Sequence, residues 1–191
     1  MIDQIIEKYD VVLGSKSPRR KELLQKLIPT FKIIAPAVKE DYSPLLVKEE
    51  IATFLAELKS ATFTPNENQL IITADTIVCI KDEVLGKPKD QKEAHQMLKK
   101  LSGETHQVIT GVTIKNLHKK ITFHDKTDVT FYHLSENEIT NYIKNCKPFD
   151  KAGSYGIQEW MGYFGISKMN GDYFNVMGLP IHLLYRKIQE F

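Results

Sequence analysis

One run of the chain sets the terms for everything around it: Leu70-Ile71-Ile72-Thr73-Ala74-Asp75-Thr76-Ile77-Val78-Cys79-Ile80. Its Ile, Val and Thr content disfavours a helix and suits a strand. In the middle stands a carboxylate, Asp75. Burying it without a partner is costly, so an economical place for it is a cleft, facing a metal ion, water or a lysine. The plainer alternative is a turn aspartate between two short strands, since Asp-Thr also forms an Asx-type turn.

Strands and helices are expected to alternate on either side of this run. Val11-Val12-Leu13 reads as a short strand ending at Gly14. Ser17 is a candidate N-cap with Pro18 at the first helical position, and Leu23, Leu24, Leu27 and Ile28 mark one apolar face. Phe31 to Ala35 reads as a second strand. Ser43-Pro44 is expected to open a second helix by the same logic, burying Val47, Ile51, Phe54, Leu55 and Leu58. Asp90-Gln91-Lys92-Glu93 and Ser135-Glu136-Asn137-Glu138 are capping-box patterns that open two more. Between them, Val108–Ile114 and Lys120–Tyr132 pair around the turn Asn116–Lys119. Pro180 starts the last helix, with Leu183, Leu184 and Ile188 inward. The expected architecture is α/β: a mixed, twisted sheet with flanking helices, arranged in two lobes within a single domain spanning 1–191.

Composition excludes more than it assigns. A formal net charge of +2 over 191 residues is too small for a general nucleic-acid or membrane-surface binder. Anion binding must come from locally placed basic side chains. The two cysteines, Cys79 and Cys146, form no C-x-x-C pair, which speaks against a zinc site or a disulfide framework. No signal-peptide pattern and no apolar stretch of membrane-spanning length is read, so a reducing cytoplasm is expected. The six histidines, His95, His106, His118, His124, His133 and His182, show no metal-binding spacing.

Four segments carry chemistry. Gly14-Ser15-Lys16-Ser17-Pro18-Arg19-Arg20 lies at a strand-to-helix junction, where free N–H groups, the helix dipole, two hydroxyls and two forked guanidiniums suit phosphate. It also reads as a solvated, well-capped helix start, and it lacks the Walker A pattern. Asp75 is the second. Leu85-Gly86-Lys87-Pro88 places Lys87 on constrained backbone, either as a fixed charge for a phosphate or as an ordinary loop lysine. Lys59, near the end of its helix, either joins that set or complements the helix dipole. Asp150-Lys151-Ala152-Gly153-Ser154-Tyr155-Gly156-Ile157-Gln158 is a glycine-rich turn, or a close ligand contact in which Gln158 both donates and accepts, as reading a base edge requires.

Taken in order, these segments resemble the Maf family of nucleotide pyrophosphatases. The resemblance includes Ser15–Leu24, Ala74–Val78, Gly86-Lys87-Pro88, Leu101-Ser102-Gly103 with His106 and Thr110-Gly111-Val112, Asp150–Gln158, and Gly171-Asp172-Tyr173 through Val176–Pro180. It implies a Maf/inosine triphosphatase-like fold with a deep cleft between two lobes, often in a homodimer. It further implies hydrolysis between the α and β phosphates with a divalent cation, Mg²⁺ or Mn²⁺. Asp75 matches the catalytic acidic residue. The Asp150–Gln158 segment is similar to the branch acting on dTTP and UTP, and Arg19, Thr76 and Gln158 match positions tied to that base preference. Two positions depart from the pattern: Lys39-Glu40 stands where the family has an acidic pair, and Glu159, followed by Trp160, replaces a glycine.

The resulting expectation is a positive field from Arg19, Arg20, Lys59, Lys87 and the cation on the triphosphate, with Ser15 and Ser17 also binding phosphate. Asp75 orients or deprotonates water, or holds the metal together with Glu40. Two rivals are a pyrophosphatase for damaged purine nucleotides and a nucleotide-sensing regulator without turnover. No nucleic acid or membrane partner is expected.

Overall fold

In the computed structural model, which describes residues 2–191, the elements run α1 (Ile2–Lys8), β1 (Asp10–Gly14), α2 (Pro18–Gln25), β2 (Lys32–Ile33), α3 (Glu49–Ala61), β3 (Gln69–Ile80), β4 (Glu83–Leu85), α4 (Gln91–Leu101), β5 (Thr105–Lys115), β6 (Lys120–Phe131), α5 (Glu136–Cys146), β7 (Ile166–Asn170), α6 (Tyr173–Met177) and α7 (Ile181–Ile188). The sheet order is β2-β1-β3-β5-β6-β7, with β4 beside β3. β1 is parallel to β2 and β3, while β3, β5, β6 and β7 pair antiparallel in turn. The expected mixed sheet with flanking helices is therefore observed.

The long apolar run is β3, one strand and not two broken at Asp75. It pairs with β5 from Ile71 to Cys79 on one side. On its other side β1 ends at Gly14, opposite Thr73, and β4 begins opposite Val78. Among the described residues, 74–77 have no strand partner there. The sheet is open at this point, and Asp75 and Thr76 lie in the opening.

Alternation along β3 sorts its side chains between faces. Leu70, Ile72 and Ala74 pack with Leu13, Leu23 and Leu24 and with Met177 and Leu184. On the same face, Val78 and Ile80 belong to a second core cluster with Leu98 and Leu101 of α4 and Ile139 of α5. Thr76 falls between the two clusters. The opposite face carries α3, whose Ile51, Ala52 and Leu55 meet Ile77 and Cys79. Gly111 permits that approach: a side chain there would run into the Ala52 carbonyl.

Local signals hold in most places. Ser17 caps α2 by accepting from Arg20 N, with Pro18 in the first turn. Ser135 and Glu138 complete a reciprocal capping box. Asp90 accepts from Glu93 N, but Glu93 reaches back to Lys89 N, at 2.7 Å, one residue before the cap. The turn at Asn116 is held by its side-chain oxygen, which accepts from His118 N and Lys119 N. The last helix follows Pro180, with Leu184 and Ile188 buried and Leu183 half-buried.

The second expected helix starts later than Ser43-Pro44. Ser43 closes only a turn, accepting from Leu45 N and Leu46 N. Lys48 has φ 41°, so the helix begins at Glu49, where Glu49 and Glu50 complement its dipole. Val47 and Phe54, expected inward, are exposed. The strand expected over Phe31–Ala35 shortens to Lys32–Ile33. Elements α1 and β7 carry no strong sequence signal and were not expected. No helix among the described residues is long and apolar enough to cross a membrane.

Candidate active site

A cleft of about 400 Å³ opens where β1 ends, and it takes its walls from all four sequence segments. Ser15, Ser17, Arg19, Arg20, Glu40, Lys59, Thr76, Lys87 and Gln158 line it, as do Asp150 and Lys151. Asp75 does not. It stands one side chain back, its Oδ1 bonded to Lys59 Nζ, and Lys59 forms the wall.

The β1–α2 junction is a fold device as much as an anion site. Ser15 Oγ accepts from Ser17 N at 3.2 Å and Arg20 Nη1 at 3.3 Å. Arg20 is buried and donates Nε to the Gly178 carbonyl at 2.8 Å and Nη2 to Thr76 Oγ1 at 2.9 Å. Gly178 turns that carbonyl toward Arg20 from φ 116°, a conformation open to glycine at low cost. Burial lowers the Arg20 pKa, opposed by the nearby Asp75 charge. The Arg20 fork is therefore fixed in place by Gly178, Ser15 and Thr76, whereas Arg19 Nη1 is paired with Asp150 Oδ2 at 2.9 Å.

Thr76 is part of a directed chain. Thr110 Oγ1 donates to the Asn175 carbonyl at 2.9 Å, which commits its only proton. Thr76 must then donate to Thr110 Oγ1 at 3.0 Å while accepting from Arg20. Toward the cleft Thr76 offers a lone pair and no proton. Its first task here is to hold Arg20.

Lys59 is buried, and its ammonium bridges Asp75 Oδ1 and Glu40 Oε1, the latter at 3.0 Å. Burial would raise the Glu40 pKa. The hydrogen bond and charge of Lys59, with Lys87 and Arg20 beyond, outweigh that and hold it below the usual value. Glu40 and Asp75 thus converge on one cation. The cation they share in this structure is the Lys59 ammonium; the two carboxylates are hard oxygen donors of the kind that Mg²⁺ or Mn²⁺ would take. Lys39, where the family pattern has an acidic residue, pairs with Asp41 at 2.6 Å.

The Asp150–Glu159 segment holds residues that sequence reasoning passed over. Lys151 is buried, with Nζ 2.8 Å from Asp150 Oδ1 and 2.9 Å from Glu159 Oε1. Glu159 Oε2 accepts from Tyr142 OH at 2.5 Å, and that hydroxyl accepts from Gly156 N at 3.0 Å. Gln158 Oε1, by contrast, is buried without a hydrogen-bond partner among the described residues. The sequence held one usable signal for Lys151: a lysine among small residues in an already singled-out segment. The Thr110 and Tyr142 partnerships had none.

Three other groups bear on the sequence reading. Burial pushes the Cys79 thiol up to about 11, as expected of an inert buried cysteine. His106 is buried against Tyr155, its Nε2 2.8 Å from the hydroxyl, and burial depresses its pKa to about 3, so it is neutral. His182 lies with Asp125 and Asp172 in a group whose donor atoms are within 4.8 Å of one another, outside the cleft; chain spacing did not reveal this grouping.

A family profile described as Maf-like protein matches residues 10–191. A curated relative from Porphyromonas gingivalis, named dTTP/UTP pyrophosphatase, is 47% identical over 100% of this chain and 98% of its own length. Relatives of the same name from Phocaeicola vulgatus and Christiangramia forsetii are 48% and 45% identical; the first covers 97% of each chain, the second 100% of this chain and 98% of its own. Among solved structures, that of the Staphylococcus aureus Ham1 protein aligns with a TM-score of 0.44 at 13% identity, over 63% of this chain and 71% of that one.

Proposed function

The chain belongs to the Maf family, and from that premise we propose that it is a nucleoside triphosphate pyrophosphatase that hydrolyses dTTP and UTP to the monophosphate and pyrophosphate. The observation that carries the reading is the double character of one cleft. Six cationic side chains (Lys16, Arg19, Arg20, Lys59, Lys87 and Lys151) line it against two carboxylates, Glu40 and Asp150. Gln158 lines the same cleft, and its buried amide oxygen has no hydrogen-bond partner among the described residues. The first feature suits a polyphosphate. The second suits a base with an N–H to give, as uracil and thymine have at N3.

The roles follow from position. Arg20, fixed by Gly178 and Thr76, and Lys87, free at the surface, bind phosphate oxygens. Ser15 and Ser17 hydroxyls, both turned to backbone or Arg20, hold the junction in shape for that contact. Water attacks the α phosphorus, the bond from it to the oxygen bridging the α and β phosphates breaks, and pyrophosphate leaves; the Asp75 oxygen that Lys59 does not engage either takes up the proton of the water or would hold the metal. Lys59, held between Glu40 and Asp75, is part of the cationic wall that faces the phosphates. Glu40 and Asp75 are the residues that would hold Mg²⁺ or Mn²⁺, and such an ion would supply further charge stabilisation to the phosphates.

The proposed setting is the cytoplasm, where the free Cys79 and Cys146 fit reducing conditions. The homodimer implied by the family remains a proposal for sedimentation to test. A nucleotide panel with Mg²⁺, with all products quantified, tests the function. Equimolar monophosphate and pyrophosphate from UTP and dTTP are expected. Diphosphate and orthophosphate as products would refute it.

A further inference from the structure

Resting on that reading, we propose that Glu159 is a positioning residue for substrate selection: it locks the Gln158 segment to the cleft lysine Lys151, and through Asp150 to Arg19.

Glu159 lines no part of the cleft itself. Its carboxylate nonetheless joins the cleft lysine Lys151 to Tyr142, a buried residue behind the wall. Oε1 bonds the buried Lys151 ammonium at 2.9 Å, and Oε2 accepts the Tyr142 hydroxyl at 2.5 Å. Tyr142 OH in turn receives Gly156 N. The backbone on both sides of Gln158 is thereby tied, at Gly156 through Tyr142 and at Glu159 directly. The same residue anchors the following turn, its carbonyl accepting from Gly162 N at 2.9 Å. Gln158 has no bond of its own at Oε1 to hold it in place. Its aim depends on these flanking anchors.

Charge makes the link run further. Arg19, Asp150, Lys151 and Glu159 alternate in sign, each within 2.9 Å of the next. Lys151 is shared between two carboxylates, and Asp150 between two cations. Removing Glu159 leaves a buried ammonium with Asp150 alone, which draws Asp150 away from Arg19. Both ends then loosen together: the Gln158 amide and the Arg19 guanidinium, which line the same cleft. Space is tight enough for this to be specific. A side chain at Gly156 would approach Glu159 Cδ within 2.9 Å and Lys151 Cε within 3.0 Å.

A role in selection predicts a loss that a general weakening of the fold does not. The test compares kcat/KM for UTP and CTP in the parent, Glu159→Ala and Glu159→Gln, with a thermal melt of each. Glu159→Ala is expected to cut the UTP/CTP ratio about tenfold, a change worth about 1.4 kcal/mol. Glu159→Gln, which keeps an acceptor for Lys151 or Tyr142, should fall between the two. A folded Glu159→Ala protein with the parental ratio overturns the proposal, as does an equal loss on both nucleotides. A parent that fails to distinguish UTP from CTP overturns instead the pyrimidine reading beneath it. If Glu159→Ala does not fold, Glu159→Gln decides: a lowered ratio supports the proposal, and the parental ratio overturns it.

Discussion

Asp75 and Thr76 are consecutive on β3, yet they bond to opposite helices: Asp75 Oδ1 to Lys59 of α3, and Thr76 Oγ1 to Arg20 of α2 at 2.9 Å. Strand alternation requires them to face opposite sides of the sheet. Thr76 lines the cleft and Asp75 stands behind it, at the level of the strand where β1 has ended and β4 has not begun. The gap in the sheet thus leaves Thr76 open to the cleft, while Asp75 is joined to its wall through Lys59.

Asp75→Asn should lower kcat by at least about 100-fold while the nucleotide still binds. The amide keeps an oxygen for Lys59, so the ion-pair site loses charge without losing its shape. Steady-state kcat beside a Kd for a non-hydrolysable nucleotide is the measurement. Parental kcat in a folded variant would reduce Asp75 to a partner for Lys59.

Thr110→Val should raise KM for UTP about fivefold with kcat little changed, the equivalent of one hydrogen bond of about 1 kcal/mol. The methyl removes the acceptor of the Thr76 proton, freeing Thr76 to rotate and Arg20 to lose its Nη2 contact. Thr110→Ser retains the hydroxyl and should restore the parental KM. An unchanged KM in Thr110→Val would show that Arg20 is held by Gly178 and Ser15 alone.

How far the sequence could be read follows the range of the interactions. Ser17, Asp90 and Ser135 were legible as caps because a cap bonds within three residues of itself. The same locality misled at Ser43, where the bonding pattern of a turn looks like the start of a helix until Lys48 is seen at φ 41°. Lys59 was ambiguous because its partners lie 16 positions away at Asp75 and far back at Glu40. Thr76, singled out as a base-preference residue, owes its hydroxyl direction to Thr110, 34 positions on, and to the Asn175 carbonyl. β7 was missed because its residues are mostly exposed and show no buried alternation.

His106 should make the protein more acid-sensitive than its carboxylates alone would. Its folded pKa of about 3 lies below the ordinary value of 6.5, because burial disfavours the charged ring. Its contribution to stability is therefore complete above pH 6.5 and declines as pH falls toward 3, at up to about 1.4 kcal/mol per pH unit. Gln at this position can keep a bond to Tyr155 and does not titrate. Between pH 7 and pH 5 the melting temperature should fall further in the parent than in His106→Gln. Equal losses in the two proteins would mean that the buried ring does not govern the acid limb.

Gln158 is where base selection should be felt most directly, because it lines the cleft and its buried Oε1 has no donor among the described residues. Such an oxygen favours a ligand that gives it a proton and penalises one that does not. Uracil and thymine carry a donor at N3, whereas cytosine carries an acceptor there. The parent should therefore show a higher kcat/KM for UTP than for CTP. Gln158→Ala removes the oxygen, so the penalty on cytosine disappears along with the gain on uracil, and the gap should shrink by about 1–3 kcal/mol. The effect should differ from that of Glu159→Ala in one respect: a conservative Gln158→Asn, shorter by one methylene, moves the oxygen away from the base and should also lose the gap, while the Lys151–Glu159 pair is left in place. Measuring UTP, dTTP, CTP and GTP on the three proteins decides it. A UTP preference that survives in Gln158→Ala would put selection elsewhere in the cleft, with Arg19 the next residue to replace.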